Sequence, residues 1–394
     1  MDKWRKVLFS ELCNITRGAS PRPINNFIKN TGMPWVKISD ATASESRFIS
    51  ITKEYISNNG IKKSKEVFPG DLILSNSATP GLPKLMQINA CIHDGWMLLR
   101  NFTGVTKEFV YWLLLYERKN LVMQGNGSIF TNLKTDILKN HEVEIPGERN
   151  QKEIVEILNS LQEKIELLNR QNKTLESLAE TLFRQWFVEE ASKDWGKSIL
   201  NNIISIKGGG TPSTKIALYW DGNICWSSPK DLSAQNSVFI FDTERKITVE
   251  GLAKISSGIM PVGTVLLSSR APIGYLAITE VPLAINQGYI AIICDKFISK
   301  YFIYLWCKIN MQVIKNAGNG SVFQEVAKSV FKQIQITVPP KYLLDKFNLI
   351  IEPVFDKIKT NQQQMVTLKL QRDTLLPKLM SGEIRITQRD KNNA

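Results

Sequence analysis

Histidine is almost missing from this chain. Only His93 and His141 occur among 394 residues, too few for imidazole chemistry to organise the protein, and structural roles are expected of both. The five cysteines, Cys13, Cys91, Cys225, Cys294 and Cys307, are odd in number and contain no C-x-x-C pair. Neither a disulfide framework nor a thiolate zinc site is indicated. No apolar run approaches the length of a membrane span, and the opening M-D-K-W-R-K-V-L-F-S lacks the apolar core of a signal peptide. A cytoplasmic location is expected, with no membrane among the partners. Positive charge, by contrast, is abundant: Lys and Arg number 50 against 37 Asp and Glu, a formal net charge of +13. It is spread through both halves and favours a polyanionic partner.

The chain repeats itself. Residues 125–130 read G-N-G-S-I-F and residues 318–323 read G-N-G-S-V-F, 193 positions apart (318 − 125). At the same offset Gly70 matches Gly263, Pro146 matches Pro339 and Leu182 matches Leu375. Towards the start the register drifts, with Trp35 set against Trp226 at 191 and Gly18 against Gly208 at 190. Two versions of one module are implied. Each opens with strand-like segments, Trp35 to Ile38, Leu72 to Ser75 and Trp96 to Arg100 in the first half, Ile224 to Ser227, Val265 to Ser268 and Tyr289 to Cys294 in the second. An aromatic-rich helix follows, Glu108 to Leu121 or Lys300 to Ile314, and a last strand, His141 to Ile145 or Gln333 to Val338. The mixture predicts an α/β globule made twice.

Each half ends differently, on a helical seam. Ile154, Leu158, Leu161, Ile165, Leu168, Asn172, Leu175, Ala179 and Leu182 step by fours and threes. Phe347, Ile351, Val354, Ile358, Asn361, Met365, Leu368, Arg372 and Leu375 repeat the pattern 193 residues later. Ile154 to Leu182 makes about 42 Å of rod at ~1.5 Å per residue, more than one globule would cover, so the two helices are expected to pair with each other and hold the globules apart. Asn172 and Asn361 are polar seam residues able to fix register at some cost in stability. Pro353 is expected to kink the second helix, and Pro377 with Gly382 to fray or end it.

Motifs with chemistry are scarce. G-G-G-T-P at 208–212 lacks the G-K-[ST] of a phosphate-binding loop and reads as a turn. V-P-P-K at 338–341 lacks the amide or carboxylate with which an amino-methyltransferase would hold its target amine. Glu244-Arg245-Lys246 with Asp231 upstream has the loose form of a metal-dependent nuclease, but the corresponding part of the first half does not reproduce it. What the duplicated frame offers is a reading surface. Arg17, Arg22, Lys37, Asn76, Gln124 and Asn126 in the first half, and Lys207, Ser228, Lys230, Ser269, Arg270 and Asn319 in the second, carry the groups that bond base edges and phosphates.

With its two globules, Ile15-Thr16-Arg17-Gly18 and Ile206-Lys207-Gly208-Gly209-Gly210-Thr211-Pro212, the Pro69-Gly70-Asp71 turn, the repeated G-N-G-S loops and the seams ending in T-L-F-R-Q-W-F and T-L-L-P-K-L, the chain resembles the DNA-specificity subunits of type I restriction-modification systems over nearly its full length. The first half departs from the usual G-x-T-P turn, having Gly18-Ala19-Ser20-Pro21. The resemblance implies two α/β target recognition domains joined by a pair of long antiparallel coiled-coil helices with an internal pseudo-twofold repeat. They would lie at 1–147 and 191–340, the helices at 148–190 and 341–380, and a C-terminal tail at 381–394. It implies recognition of a bipartite, asymmetric sequence in double-stranded DNA and no catalysis or cofactor in this chain. Two modification subunits would methylate adenine with S-adenosylmethionine, while restriction subunits would translocate and cleave with ATP and magnesium. The seams and Phe183, Trp186 and Phe187 would meet the modification subunits. Two other classes compete: a catalytic nuclease or methyltransferase, and a duplicated protein-binding scaffold without DNA contact.

Overall fold

Leu72–Ser75 and Val265–Ser268 are buried along their whole length, as runs of Leu, Ile and Val closed by Ser should be when a strand is covered on both faces. Each forms the centre of a five-stranded sheet. The computed structural model describes residues 4–43, 45–124, 132–235, 237–270, 272–318 and 325–384. In the first half the strand order is Asn14–Arg17, Trp96–Arg100, Leu72–Ser75, Pro83–Met86 and Phe48–Ile49; in the second it is Ser205–Lys207, Tyr289–Ile293, Val265–Ser268, Leu276–Thr279 and Phe239–Ile240. The order is the same, and in both sheets only the last strand pairs in parallel. A second sheet flanks each: five strands in the first half and three in the second, built around the parallel pairs Met33–Val36 with Ala90–Ile92 and Trp220–Ser227 with Leu283–Ile285.

The aromatic-rich helices cover the central sheets. From Lys107–Gln124, Phe109, Trp112 and Leu113 join Leu72, Leu74, Met97 and Leu99 in one core; from Lys300–Ile309, Phe302, Leu305 and Trp306 join Val265, Leu267, Ile290 and Ile292 in another. Burying each such side chain contributes about 1.5–3 kcal/mol. Where one helix was expected to Ile314, the second half has two, Lys300–Ile309 and Met311–Asn316. The side-chain amide of Asn310, at the break, donates to the Trp306 carbonyl at 2.9 Å, the local competition that makes Asn a poor interior helix residue.

Compactness divides the chain into Met1–Glu166 with Leu368–Ala394, and Leu167–Thr367. Each long helix, Glu148–Arg184 and Lys341–Met380, therefore contributes a part to each unit. In the first unit Ile154 and Leu158 share a core with Leu379 and Met380, and Arg372 donates to the Gln162 side chain at 2.6 Å. In the second, Asn361 Nδ2 donates to Asn172 Oδ1 at 2.8 Å, and Phe183 lies 6.0 Å from Phe347 between ring centres. Rising numbers on one helix meet falling numbers on the other, so the pairing within each unit is antiparallel.

The seam differs in detail from the heptad reading. The buried stripe of the first helix runs through Gln151, Ile154, Leu158, Gln162, Ile165, Leu168, Asn172, Ala179 and Phe183, while Leu161, Leu175 and Leu182 are only half buried. On the second helix Phe347, Ile351, Phe355, Ile358, Asn361 and Gln362 are buried, and Val354, Met365, Leu368 and Leu375 are half buried. An α-helix of 3.6 residues per turn drifts about 20° per heptad, so positions chosen at strict sevens slide off the face. The second helix also continues through Pro353 and Pro377 to Met380. Gly382, at φ +73°, follows its end.

Candidate nucleic-acid interface

Antiparallel register gathers the candidate loops at one end of each central sheet. Arg17 is level with Met97 and Ser75 with Trp96, so the loops after Arg17, after Ser75 and before Trp96 leave from the same edge. In the second unit Ser268 is level with Tyr289, and Lys207 ends the neighbouring strand. The backbone wiring is duplicated. Asn76 N–H donates to Gly95 O at 2.8 Å and Ser269 N–H to Gly288 O at 2.8 Å; Leu133 N–H donates to Asn76 O at 2.8 Å and Val326 N–H to Ser269 O at 2.9 Å. All are related by 193.

The loop that follows the first strand obeys a different offset from that read in sequence. Gly18 abuts the carbonyl of His93 as Gly209 abuts that of Asn286, leaving no room for a Cβ at either, and Ser20 and Thr211 donate at 2.6 Å to Asp94 Oδ1 and Gln287 Oε1. Gly18 therefore corresponds to Gly209, at 191, and not to Gly208. Lys207 ends its strand level with Ala291, the counterpart of Leu98, which places it with Thr16 and on the opposite face from Arg17.

In the first unit Asp94 is the hub. Its carbonyl accepts Arg17 Nε at 2.9 Å and Asn76 Nδ2 at 3.0 Å, and its carboxylate accepts Ser20 Oγ and, at 3.3 Å, an Arg22 guanidinium nitrogen. The Ser20 hydrogen bond is the first cause holding the Asp94 carboxyl below its usual range. Arg22, Lys37, Trp35 and Asp94 line a recess of about 830 Å³, and Lys37 pairs with Glu54. His93 also lines this recess, and burial depresses its pKa and favours the neutral ring. Its Nδ1 accepts the Gly95 N–H at 2.8 Å, the structural role expected. Gln124 is elsewhere: its amide lies 3.3 Å from His141 Nδ1, and His141 Nε2 is 3.0 Å from Glu117. It lines a separate recess with Lys6 and Tyr116. Asn126 and Asn319 lie outside the described residues.

In the second unit the Ser228 N–H donates to Asp231 Oδ2 at 2.7 Å, Lys230 pairs with Glu244 at 3.1 Å and Arg270 with Glu325 at 3.1 Å. Exposed pairs of this kind contribute about 0–1 kcal/mol, so their cations can be exchanged to a phosphate at little cost. Ser269 is buried and sits beside them through its backbone.

The nuclease-like pattern dissolves here. Asp231 accepts the amides of Ser228 and, at 3.4 Å, Glu244, and Asp40 in the first unit accepts those of Lys37 at 2.8 Å and Lys53 at 3.3 Å. The first half thus does reproduce Asp231, as a helix-start carboxylate satisfying orphan N–H groups. Glu244 and Lys246 turn instead to Lys230 and Asp242. Among the described residues no three His, Cys, Asp or Glu side chains group so as to hold a metal ion. Asp94, Gln287 and Asp40 were not singled out from sequence, and Ser20 and Thr211 only as parts of a turn motif, although each lies in the repeat at 191 or 193.

The aromatic group expected to meet a partner is largely internal. Phe183 is 1 % exposed in the second unit's core, with ring centres of Phe187 and Phe302 both at 5.0 Å. Trp186 and Phe187 are half buried in the π-helical turn Gln185–Glu189, 5.8 and 4.8 Å from Phe347. They pack in the second unit. No helix among the described residues is long and apolar enough to cross a membrane.

A family model described as the type I restriction modification DNA specificity domain matches the chain twice, over residues 1–177 and 192–369. The MjaIX specificity subunit of Methanocaldococcus jannaschii is 38% identical over 187 residues, which are 47% of this chain and 43% of that protein. The chain thus spans less than half of that relative. The HindI specificity subunit of Haemophilus influenzae is 22% identical over an alignment covering 98% of this chain and all of that subunit. Among solved structures, the type I restriction-modification S subunit from M. genitalium superposes with a TM-score of 0.58 at 16% identity, covering 98% of this chain and 97% of the other, a likeness of fold. With two copies of the specificity domain, each built on the same loop-bearing sheet, the chain belongs to the type I restriction-modification DNA specificity family.

Proposed function

We propose that each unit reads one half of a bipartite, asymmetric DNA sequence, and that the chain directs adenine methylation and restriction carried out by partner subunits. The observation that carries this reading is that the loop wiring is duplicated while its functional groups are not. Asp94 stands where the second unit has Gln287, and Arg17 and Arg22 where it has Gly208 and Ser213. A carboxylate accepts hydrogen bonds only, whereas an amide both donates and accepts, so the two loop ends suit different base edges. Arg17, Arg22, Lys37, Ser228, Lys230 and Arg270 form the reading surface, with Lys207 at its side and the buried Asn76 and Ser269 holding its loops through their hydrogen bonds. Gln124, bonded beside His141 in a separate recess, is not among them.

The partners in this proposal are double-stranded DNA, two modification methyltransferase subunits that hold S-adenosylmethionine, and restriction subunits that hold ATP and magnesium. On the second long helix Tyr342 and Leu349, seven residues apart, are 73 % and 78 % exposed. They share a face and suit a modification subunit better than the buried Phe183. The test is an exchange of residues 1–150 for the matching region of another family member, with methylation mapped across a genome. One half of the methylated sequence should change. Change in both halves, or in neither, would refute the division of labour.

A further inference from the structure

The correspondence of Gly18 with Gly209 sets Gly208 at the position of Arg17, so the second unit has a glycine where the first has a cation at its loop end. The conformation of Gly208 does not call for glycine, since its φ lies outside the left-handed region. Its surroundings do. A Cβ placed on Gly208 would overlap the Lys328 ammonium and lie 2.9 Å from Cε and 3.0 Å from Cδ of the same side chain. Lys328 thus occupies the room that an arginine at 208 would take.

Lys328 opens the helix Lys328–Lys332, and its counterpart, 193 residues earlier, is Thr135, which opens Thr135–Lys139. In the first unit Thr135 and Arg17 line one recess of about 550 Å³ with Asn76 and Asp94. The two units therefore face the same pair of positions across the loop end with the chemistry exchanged: arginine against threonine in one, glycine against lysine in the other. Lys328 is exposed, and no carboxylate among the described residues pairs with it. A lysine ammonium held by packing rather than by a fork of hydrogen bonds suits a phosphate better than a base edge. We propose that Lys328 is the second unit's counterpart of Arg17, a contact to a DNA phosphate that positions the second half of the target. This rests on the reading of the loop end as the DNA face.

The test uses the full chain and a duplex selected from random sequence by the unaltered protein, titrated between about 50 and 200 mM salt. One phosphate contact contributes about 0.9 to the slope of log affinity against log salt. Lys328→Thr should therefore reduce that slope by about 0.9 and lower affinity about eightfold at ~0.1 M salt, at every sequence alike. Gly208→Arg combined with Lys328→Thr, which installs the first unit's arrangement, should restore both quantities. Arg17→Ala is measured beside them, and circular dichroism confirms that each variant is folded. If Arg17→Ala weakens binding and Lys328→Thr does not, the inference fails while the DNA-face reading stands; if neither weakens it, the DNA-face reading fails with it. Loss without restoration by Gly208→Arg would overturn the equivalence. Loss confined to one base pair of the target would overturn the phosphate assignment.

Discussion

Replacing Asn172 with Leu should cost the second unit more than replacing Asn361 with Leu, although the two amides bond to each other. Both are buried, at 4 % and 0 % exposure. Asn172 Oδ1 accepts from Asn361 Nδ2 at 2.8 Å, and its own Nδ2 donates to the Ile358 carbonyl at 3.5 Å. Asn361 has no second partner: its Oδ1 is buried and unbonded. Removing Asn172 strands the whole Asn361 amide in the seam, at about 1–3 kcal/mol for the unpaired donor beyond the lost bond, whereas removing Asn361 strands only the Asn172 Oδ1 acceptor, leaves Asn172 Nδ2 its contact with Ile358 and eliminates the Oδ1 that was already unbonded, a smaller net cost of about 1 kcal/mol. The double Leu variant removes both amides and should return to within about 1 kcal/mol of the starting protein. Hydrogen exchange of the peptide covering 167–184 reads this locally, where a denaturation curve would mix the two units. About 1.4 kcal/mol corresponds to tenfold faster exchange under EX2 conditions. Equal losses in the two single variants, or a double variant that loses their sum, would refute the reasoning.

Other consequences are open to similarly direct measurement. Phe183→Ala should destabilise the second unit by about 3–5 kcal/mol, seen as accelerated exchange across 341–358; a change in partner binding with no loss of protection would return Phe183 to the partner contact that the family resemblance implied. Gly18→Ala and Gly209→Ala should each cost about 1–3 kcal/mol because the new methyl group meets backbone carbonyls that cannot swing aside, and unchanged melting temperatures would refute the tight loop packing. The depressed pKa of His93 means that the unfolded chain binds the extra proton first as pH falls. Stability of the first unit should therefore drop as pH falls from about 7.5 through the ordinary histidine range near 6.5, and His93→Asn should flatten that slope. A slope unchanged in the variant would assign it to other groups.

Sequence alone carried the duplication, the α/β class and the two long helices. These follow from local and periodic signals: the apolar runs Leu72–Leu74 and Val265–Leu267, the residues after Pro146 and Pro339, and the repeated stripe at helical spacing. It could not settle which side of that stripe is innermost. Leu161 and Gln162 differ by one position, and the drift of a 3.6-residue helix against a seven-residue pattern, together with the partner Arg372, decided for the glutamine. Nor could it separate Gly208 from Gly209, since three consecutive glycines look alike until a backbone carbonyl is pressed against one of them and a lysine against another. Phe183 was placed at a partner contact by the family resemblance alone; Phe302 and Phe347, more than a hundred residues away, bury it. The fate of Asp231 was decided in the same way, by the amides of Ser228 and Glu244 that converge on it. Periodicity is written along the chain, but contact between distant segments, and hence the role of a particular side chain, exists only after the sheets and helices have packed.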